Sequence, residues 1–194
     1  TGIRRCGKST LMLQTLKKTK EKALFVNFED IRLSGFETSD FTRLYKEIED
    51  RQVKILFFDE IQMTDKWEIF IHQLLNEGYQ IFITGSNASM LSRELGTHLT
   101  GRHISSELFS FSYQEFLSFS NQQPADESSK NYLNSGGFPE FLKTGLPEVL
   151  MQTFNDIIIR DIALRYNIKN TTLLQQLAVW LVSNCGKLFT GNSL

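Results

Sequence analysis

The chain has 194 residues, 41% of them hydrophobic and 22% charged, the balance of an ordinary globular fold with enough length for a real core. A net charge of −1 excludes a global basic field, so any nucleic-acid contact would have to be local. No apolar run approaches the length of a membrane span, and Cys6 and Cys185 stand alone and far apart, which points to a reducing, cytoplasmic setting and away from a disulfide scaffold.

The first ten residues, Thr1-Gly2-Ile3-Arg4-Arg5-Cys6-Gly7-Lys8-Ser9-Thr10, contain the full G-x-x-x-x-G-K-[ST] pattern between Gly2 and Ser9. Its chemistry explains the spacing. Phosphates need several backbone N–H donors turned toward one point, and glycine lets the backbone bend that tightly. Lys8 offers a point charge to the β- and γ-phosphates, and the Ser9 hydroxyl is a hard oxygen ligand suited to Mg²⁺. The run from Ser9 to Leu16 reads as a helix whose positive end faces the same anion. The bland alternative is a glycine-rich turn before a helix. Four fixed positions match by accident in roughly one chain of this length in a hundred, so a nucleotide site is the better reading. Gly2, Arg4, Arg5, Cys6, Gly7, Lys8, Ser9 and Thr10 are the candidate nucleotide-binding set. A phosphate loop ordinarily follows a buried strand, so a core lacking its first strand is expected.

After a lysine-rich turn, Ala23–Phe28 reads as a short buried strand. Glu29 and Asp30 then resemble a metal pair, although a solvated loop at a strand end is the simpler account. Phe41, Leu44, Tyr45 and Ile48 fall at helical spacing. Val53–Phe58 is nearly all apolar, as a strand buried on both faces must be, and it runs straight into Asp59 and Glu60. Two carboxylates at such a place are costly unless a cation is near. Asp59 is the candidate second Mg²⁺ ligand opposite Ser9, and Glu60 the candidate general base that polarises a water. The alternative is a strand that merely runs out into a polar loop. Trp67, Phe70, Ile71, Leu74 and Leu75 predict an amphipathic helix stopped by Gly78, and Tyr79–Thr84 the next strand. Asn87, or Ser86, just beyond it, is a candidate γ-phosphate or water contact, and a cap for a helix over 88–95 is nearly as good a reading and compatible with it.

These residues together resemble the AAA+ ATPases. The loop Gly2-x-Arg4-Arg5-x-Gly7-Lys8-Ser9, then Phe58-Asp59-Glu60-Ile61-Gln62, then Thr84-Gly85-Ser86-Asn87 is similar to bacterial and archaeal ATP-binding proteins with a paired arginine in the phosphate loop. Leu99-Thr100-Gly101-Arg102, Phe111–Phe116 and Gly136–Glu140 extend the likeness. The resemblance implies an α/β fold, a three-layer P-loop NTPase with a parallel sheet followed by an all-helical segment. It implies ATP and Mg²⁺ as ligands. It also implies that Arg102, before a last strand over His103–Leu108, matches the arginine presented to a neighbour's γ-phosphate. An oligomer is compatible with this.

The polar stretch 118–130 reads as a surface connection. The expected organisation is a nucleotide-binding core over 1–118, a helical lid or connector over 119–168, and the start of a C-terminal module over 169–194. The resemblance makes that last piece winged-helix-like, a route to a DNA or protein partner. Pro147 is expected to open a long helix with Leu150, Phe154, Ile157, Ile158 and Ile162 on its apolar face, and Asp156, Arg160, Asp161 and Arg165 on its charged surface. A guanine-reading N-K-x-D element is missing from the sequence, which disfavours a GTPase. The leading expectation is a Mg²⁺-dependent ATPase, with catalytic roles for Lys8, Glu60, Asn87 and Arg102. The alternative is a nucleotide-gated binding module with little turnover.

Overall fold

A computed structural model describes residues 1–85, 103–164, 166–188 and 190. Three five-residue strands, β1 (Ala23–Asn27), β2 (Ile55–Asp59) and β3 (Gln80–Thr84), form a parallel sheet in the order β1-β2-β3. The register pairs Asn27 with Asp59 and Asp59 with Thr84, so all three strands end on one line. This is an α/β arrangement built on a parallel sheet.

Strand β2 is central, and every one of its residues is buried. Its side chains alternate between two apolar clusters, as the period of a strand requires. Leu56 and Phe58 pack with Phe41 and Ile48 of helix α2 (Phe41–Arg51) and with Trp67, Phe70, Ile71 and Leu74 of helix α3 (Trp67–Asn76). Ile55 and Phe57 join Met12 of helix α1 (Lys8–Lys18), flanked by Leu16, Phe25 and Phe82. Aromatic stacking reinforces both clusters: Phe57 lies over Phe82 at 4.8 Å between centroids, and Phe41 over Phe70 at 4.5 Å. As expected from its position after the apolar stripe, Gly78 takes a left-handed conformation (φ 86°) at the end of α3.

Chain length fixes which way α1 points. Its eleven residues and the five of β1 each span roughly 16 Å, and only residues 19–22 join them. The last turn of α1 therefore lies at the start of the sheet, and its first turn lies at the carboxyl ends of the strands.

Two stretches before Gly137 differ from the reading of the sequence. Residues 103–108 do not make a regular strand. Leu108 makes a single parallel bridge to Gly2, and its N–H donates to the Thr1 carbonyl at 2.8 Å. The polar stretch after 118 is not a continuous surface connection. Helix α4 (Tyr113–Ser120) runs into it, and helix α5 (Asp126–Ser135) begins within it. Ser128 accepts from the Ala125 N–H at 2.9 Å, and Asp126 and Glu127 complement the first-turn dipole, so the polar residues are helix-start residues.

The chain divides into two compact units, Thr1–Gly137 and Phe138–Leu194. Gly137 closes the first. A Cβ there would stand 2.1 Å from the Phe111 carbonyl oxygen, and the Phe111 N–H donates to the Gly137 carbonyl at 2.8 Å. The described part of the second unit is helical: α6 (Pro139–Thr144), α7 (Pro147–Asp156), a π-helical stretch (Ile157–Ala163) and α8 (Thr171–Ser183). Pro139 and Pro147 open their helices, where a missing N–H costs nothing. The helix expected to carry Ile157, Ile158 and Ile162 in one α-helical face widens at Ile157 instead. Its apolar residues still serve packing: Ile158 and Ala163 are buried. No helix among the described residues is long and apolar enough to cross a membrane.

Because Phe58 is fully buried and bridges the sheet to α2 and α3, Phe58→Ala is expected to cost about 3–5 kcal/mol of folding stability. Urea unfolding followed by circular dichroism measures it, and a loss below about 1 kcal/mol would contradict the packing described.

Candidate functional site

The loop from Gly2 to Gly7 is shaped by close approach at one end and by backbone geometry at the other. Gly2 is buried with φ 150°, and a Cβ on it would meet the Leu108 carbonyl oxygen at 2.2 Å and Cys6 Sγ at 3.0 Å. Gly7 has open space around it but a φ of 104°, which L side chains rarely adopt. Arg5 is left-handed as well (φ 62°). Cys6 is buried within the loop, so its thiol contributes packing.

Gly7 is the N-cap of α1 and supplies no side chain to the helix end. Among the described residues no side chain caps this helix start, which leaves the first-turn N–H groups of Lys8, Ser9 and Thr10 to an external acceptor, with the helix dipole behind them. Lys8 is buried, and its ammonium donates to the carbonyls of Gly2 at 3.0 Å and Ile3 at 2.9 Å. Ser9 and Thr10 are exposed at the helix start.

The strand ends face this junction from the sheet, because α1 starts at their carboxyl edge. Asp59 is only 1% exposed, and its Oδ1 accepts from Thr84 Oγ1 on the neighbouring strand. The ladder continues one step further. The Phe28 N–H donates to the Asp59 carbonyl and the Glu60 N–H to the Thr84 carbonyl, each at 3.0 Å. At Glu60 the chain turns sharply into the left-handed region (φ 53°, ψ 39°), a conformation that costs a non-glycine residue about 1–2 kcal/mol. A 3₁₀ turn, Ile61–Met63, follows. Ile61 is fully buried and its carbonyl accepts from Thr64 Oγ1 at 2.9 Å, which anchors the turn. The turn folds Gln62 back so that its Nε2 donates to Glu60 Oε2. Gln62 Oε1 is buried and has no donor among the described residues, a state that costs about 1–3 kcal/mol.

Strand β1 contributes an ion pair. Glu29, whose N–H is held by Asn27 Oδ1 at 2.9 Å, lies 3.8 Å from Arg4 in the loop. Asp30 has a different task. It caps the 3₁₀ turn Ile31–Leu33 and pairs with Arg32, whose hydrogen bonds pull its carboxyl down to about 2. That engagement makes Glu29 and Asp30 separate structural groups and not a metal pair. Among the described residues no three His, Cys, Asp or Glu side chains cluster as a metal site.

The structure thus brings the loop residues, Lys8, Ser9, Asp59 and Glu60 to the carboxyl edge of one sheet. Asn87 and Arg102 lie outside the described residues, as does Arg165. Thr84 and Gln62 are neighbours of the site to which the pattern of residues assigned no task, and Glu29 pairs with Arg4 where the sequence offered a metal pair or a solvated loop. Thr84 follows from the strand register, which sets it opposite Asp59 and which only the paired sheet supplies. Gln62 depended on the left-handed turn at Glu60, which residue types do not announce.

The chain belongs to the AAA domain family, whose pattern matches residues 1–117. Membership puts the first unit among nucleotide-binding, ATPase-like domains. An uncharacterised protein of Methanocaldococcus jannaschii is 34% identical over 203 residues, covering 94% of this chain and 46% of the relative. An uncharacterised protein of Haemophilus influenzae is 34% identical over 205 residues, covering 97% of this chain and 51% of the relative. The chain spans about half the length of both curated relatives.

The two loop glycines should respond differently to a methyl group. Gly7→Ala meets no neighbour and carries only the conformational penalty, about 1–2 kcal/mol. Gly2→Ala adds a clash with the Leu108 backbone, so its urea midpoint is expected to be the lower of the two. Equal midpoints would mean that Gly2 does not touch residue 108 in solution.

Proposed function

We propose that this protein binds ATP with Mg²⁺ and hydrolyses it to ADP and phosphate, and that the nucleotide state is coupled to a conformational change. The observation that carries the proposal is the convergence on one sheet edge of two features. An uncapped helix start follows a glycine loop, and a fully buried strand ends in Asp59 and Glu60.

In this proposal the backbone amides from Gly7 to Thr10 hold the phosphates, and Lys8 exchanges its two loop carbonyls for phosphate oxygens. Arg4, Arg5 and Cys6 complete the loop. The donor chemistry fits a hard divalent cation: a Ser9 hydroxyl and a buried Asp59 carboxylate held by Thr84 are oxygen ligands. With few protein carboxylates available, such an ion would complete its shell from substrate phosphates and water. Mg²⁺ would supply charge neutralisation at the β- and γ-phosphates. Glu60 takes a proton from the attacking water. The water oxygen bonds to the γ-phosphorus, and the bridging P–O bond breaks with its electron pair leaving on ADP. Asn87, from its position just after β3, and Arg102, on the family resemblance, are proposed as γ-phosphate contacts. The two apolar clusters on opposite faces of β2 support a three-layer core of the phosphate-loop type.

A second proposal from another class is a nucleotide-gated binding module. Helix α8 leaves Leu173, Val179 and Val182 more than half exposed, which favours a protein partner for the helical unit over duplex DNA. A winged-helix-like continuation, an oligomer and a cytoplasmic location belong to the same set of proposals.

Lys8→Ala is expected to abolish ATP binding, read by titration with a fluorescent ATP analogue. Glu60→Gln is expected to keep that affinity while phosphate release falls by about 10²-fold or more. Wild-type turnover by Glu60→Gln would remove the general-base assignment.

A further inference from the structure

We infer that Gln62 is the positioning residue of Glu60, holding the carboxylate that takes the proton of the attacking water. This rests on the proposed hydrolysis and names one more residue in it.

The left-handed turn at Glu60 and the buried anchor at Ile61 leave Gln62 little choice of direction, and its amide meets the Glu60 carboxylate at Oε2. An ionised carboxylate only accepts hydrogen bonds, so the amide nitrogen must be the atom facing it. That single contact decides where the other end of the amide goes. Gln62 Oε1 is turned away from the carboxylate, inside the protein surface, with no donor among the described residues. The amide thus leaves its oxygen unsatisfied while its nitrogen holds the carboxylate, and held there Glu60 keeps the orientation in which it takes the proton of the attacking water. Gln62 itself neither gains nor loses a proton.

Gln62→Met tests this, because methionine keeps the length and apolar bulk while deleting donor and acceptor together. In the whole protein kcat for ATP is expected to fall about 10- to 100-fold, with KM and the affinity for a fluorescent ATP analogue changed less than about twofold. The decisive comparison is the same substitution in the Glu60→Gln background. A residue acting through Glu60 has nothing left to position there, so the residual turnover of Glu60→Gln should not fall further. An equal fold-loss in both backgrounds overturns the inference and makes Gln62 a structural residue, as does a Gln62→Met kcat equal to wild type. The Gln62→Glu variant removes the donor and sets a like charge against Glu60, so its kcat is expected to be no higher than that of Gln62→Met, and a wild-type kcat there overturns the inference. A wild-type protein that binds ATP with no phosphate release overturns the hydrolysis proposal itself, and this inference with it, whereas an active wild type with additive losses overturns only the role of Gln62.

Discussion

The site depends on the burial of one strand. Five consecutive residues of β2 are shielded on both faces, and the chain must leave the sheet somewhere with its polar groups satisfied. It leaves at Asp59 and Glu60. Burial of the aromatic and aliphatic side chains of β2, each contributing about 1.5–3 kcal/mol, holds a carboxylate in place that would otherwise move to water. Thr84 on β3 then satisfies one oxygen of Asp59, so the sheet register that packs Phe58 also fixes the direction of the acid.

The opposite wall follows from a different constraint. Helix α1 must return over the sheet in the short span allowed by residues 19–22, so its uncapped start falls at the same edge where β1, β2 and β3 end. Open α/β sheets place their ligands at this edge for the same topological reason. The loop before α1 is held from below by Leu108 against Gly2 and from the side by Glu29 against Arg4. A buried ammonium satisfied by two carbonyl dipoles, as Lys8 is here, is a cation with a modest partner and a clear affinity for a better one.

Glu60 shows where stability and function part. A left-handed glutamate followed by a half-satisfied glutamine is a local arrangement with no folding advantage, and its cost is borne by the surrounding clusters. Such departures from ideal local geometry mark sites where the chain is selected for something other than compactness. Membership in the AAA domain family agrees with that view of the first unit. The described part of the unit after Gly137 is helical and includes a π-helical stretch, and this separates it in character from the sheet unit.

Much of this was present in the order of residues. The spacing of Gly2, Gly7, Lys8 and Ser9, the apolar run into Asp59, and the stripes of α2 and α3 rest on local periodicity and backbone chemistry, which neighbouring residues determine by themselves. The pairing of Thr84 with Asp59, of Arg4 with Glu29 and of Gln62 with Glu60 was decided only in three dimensions. The first two join residues 25 apart in sequence, and the third needs a backbone turn that no residue type demands. The same reason explains residues 103–108 and the start of α5: a strand requires a partner and a helix start requires its donors capped. Both depend on what the rest of the chain brings alongside.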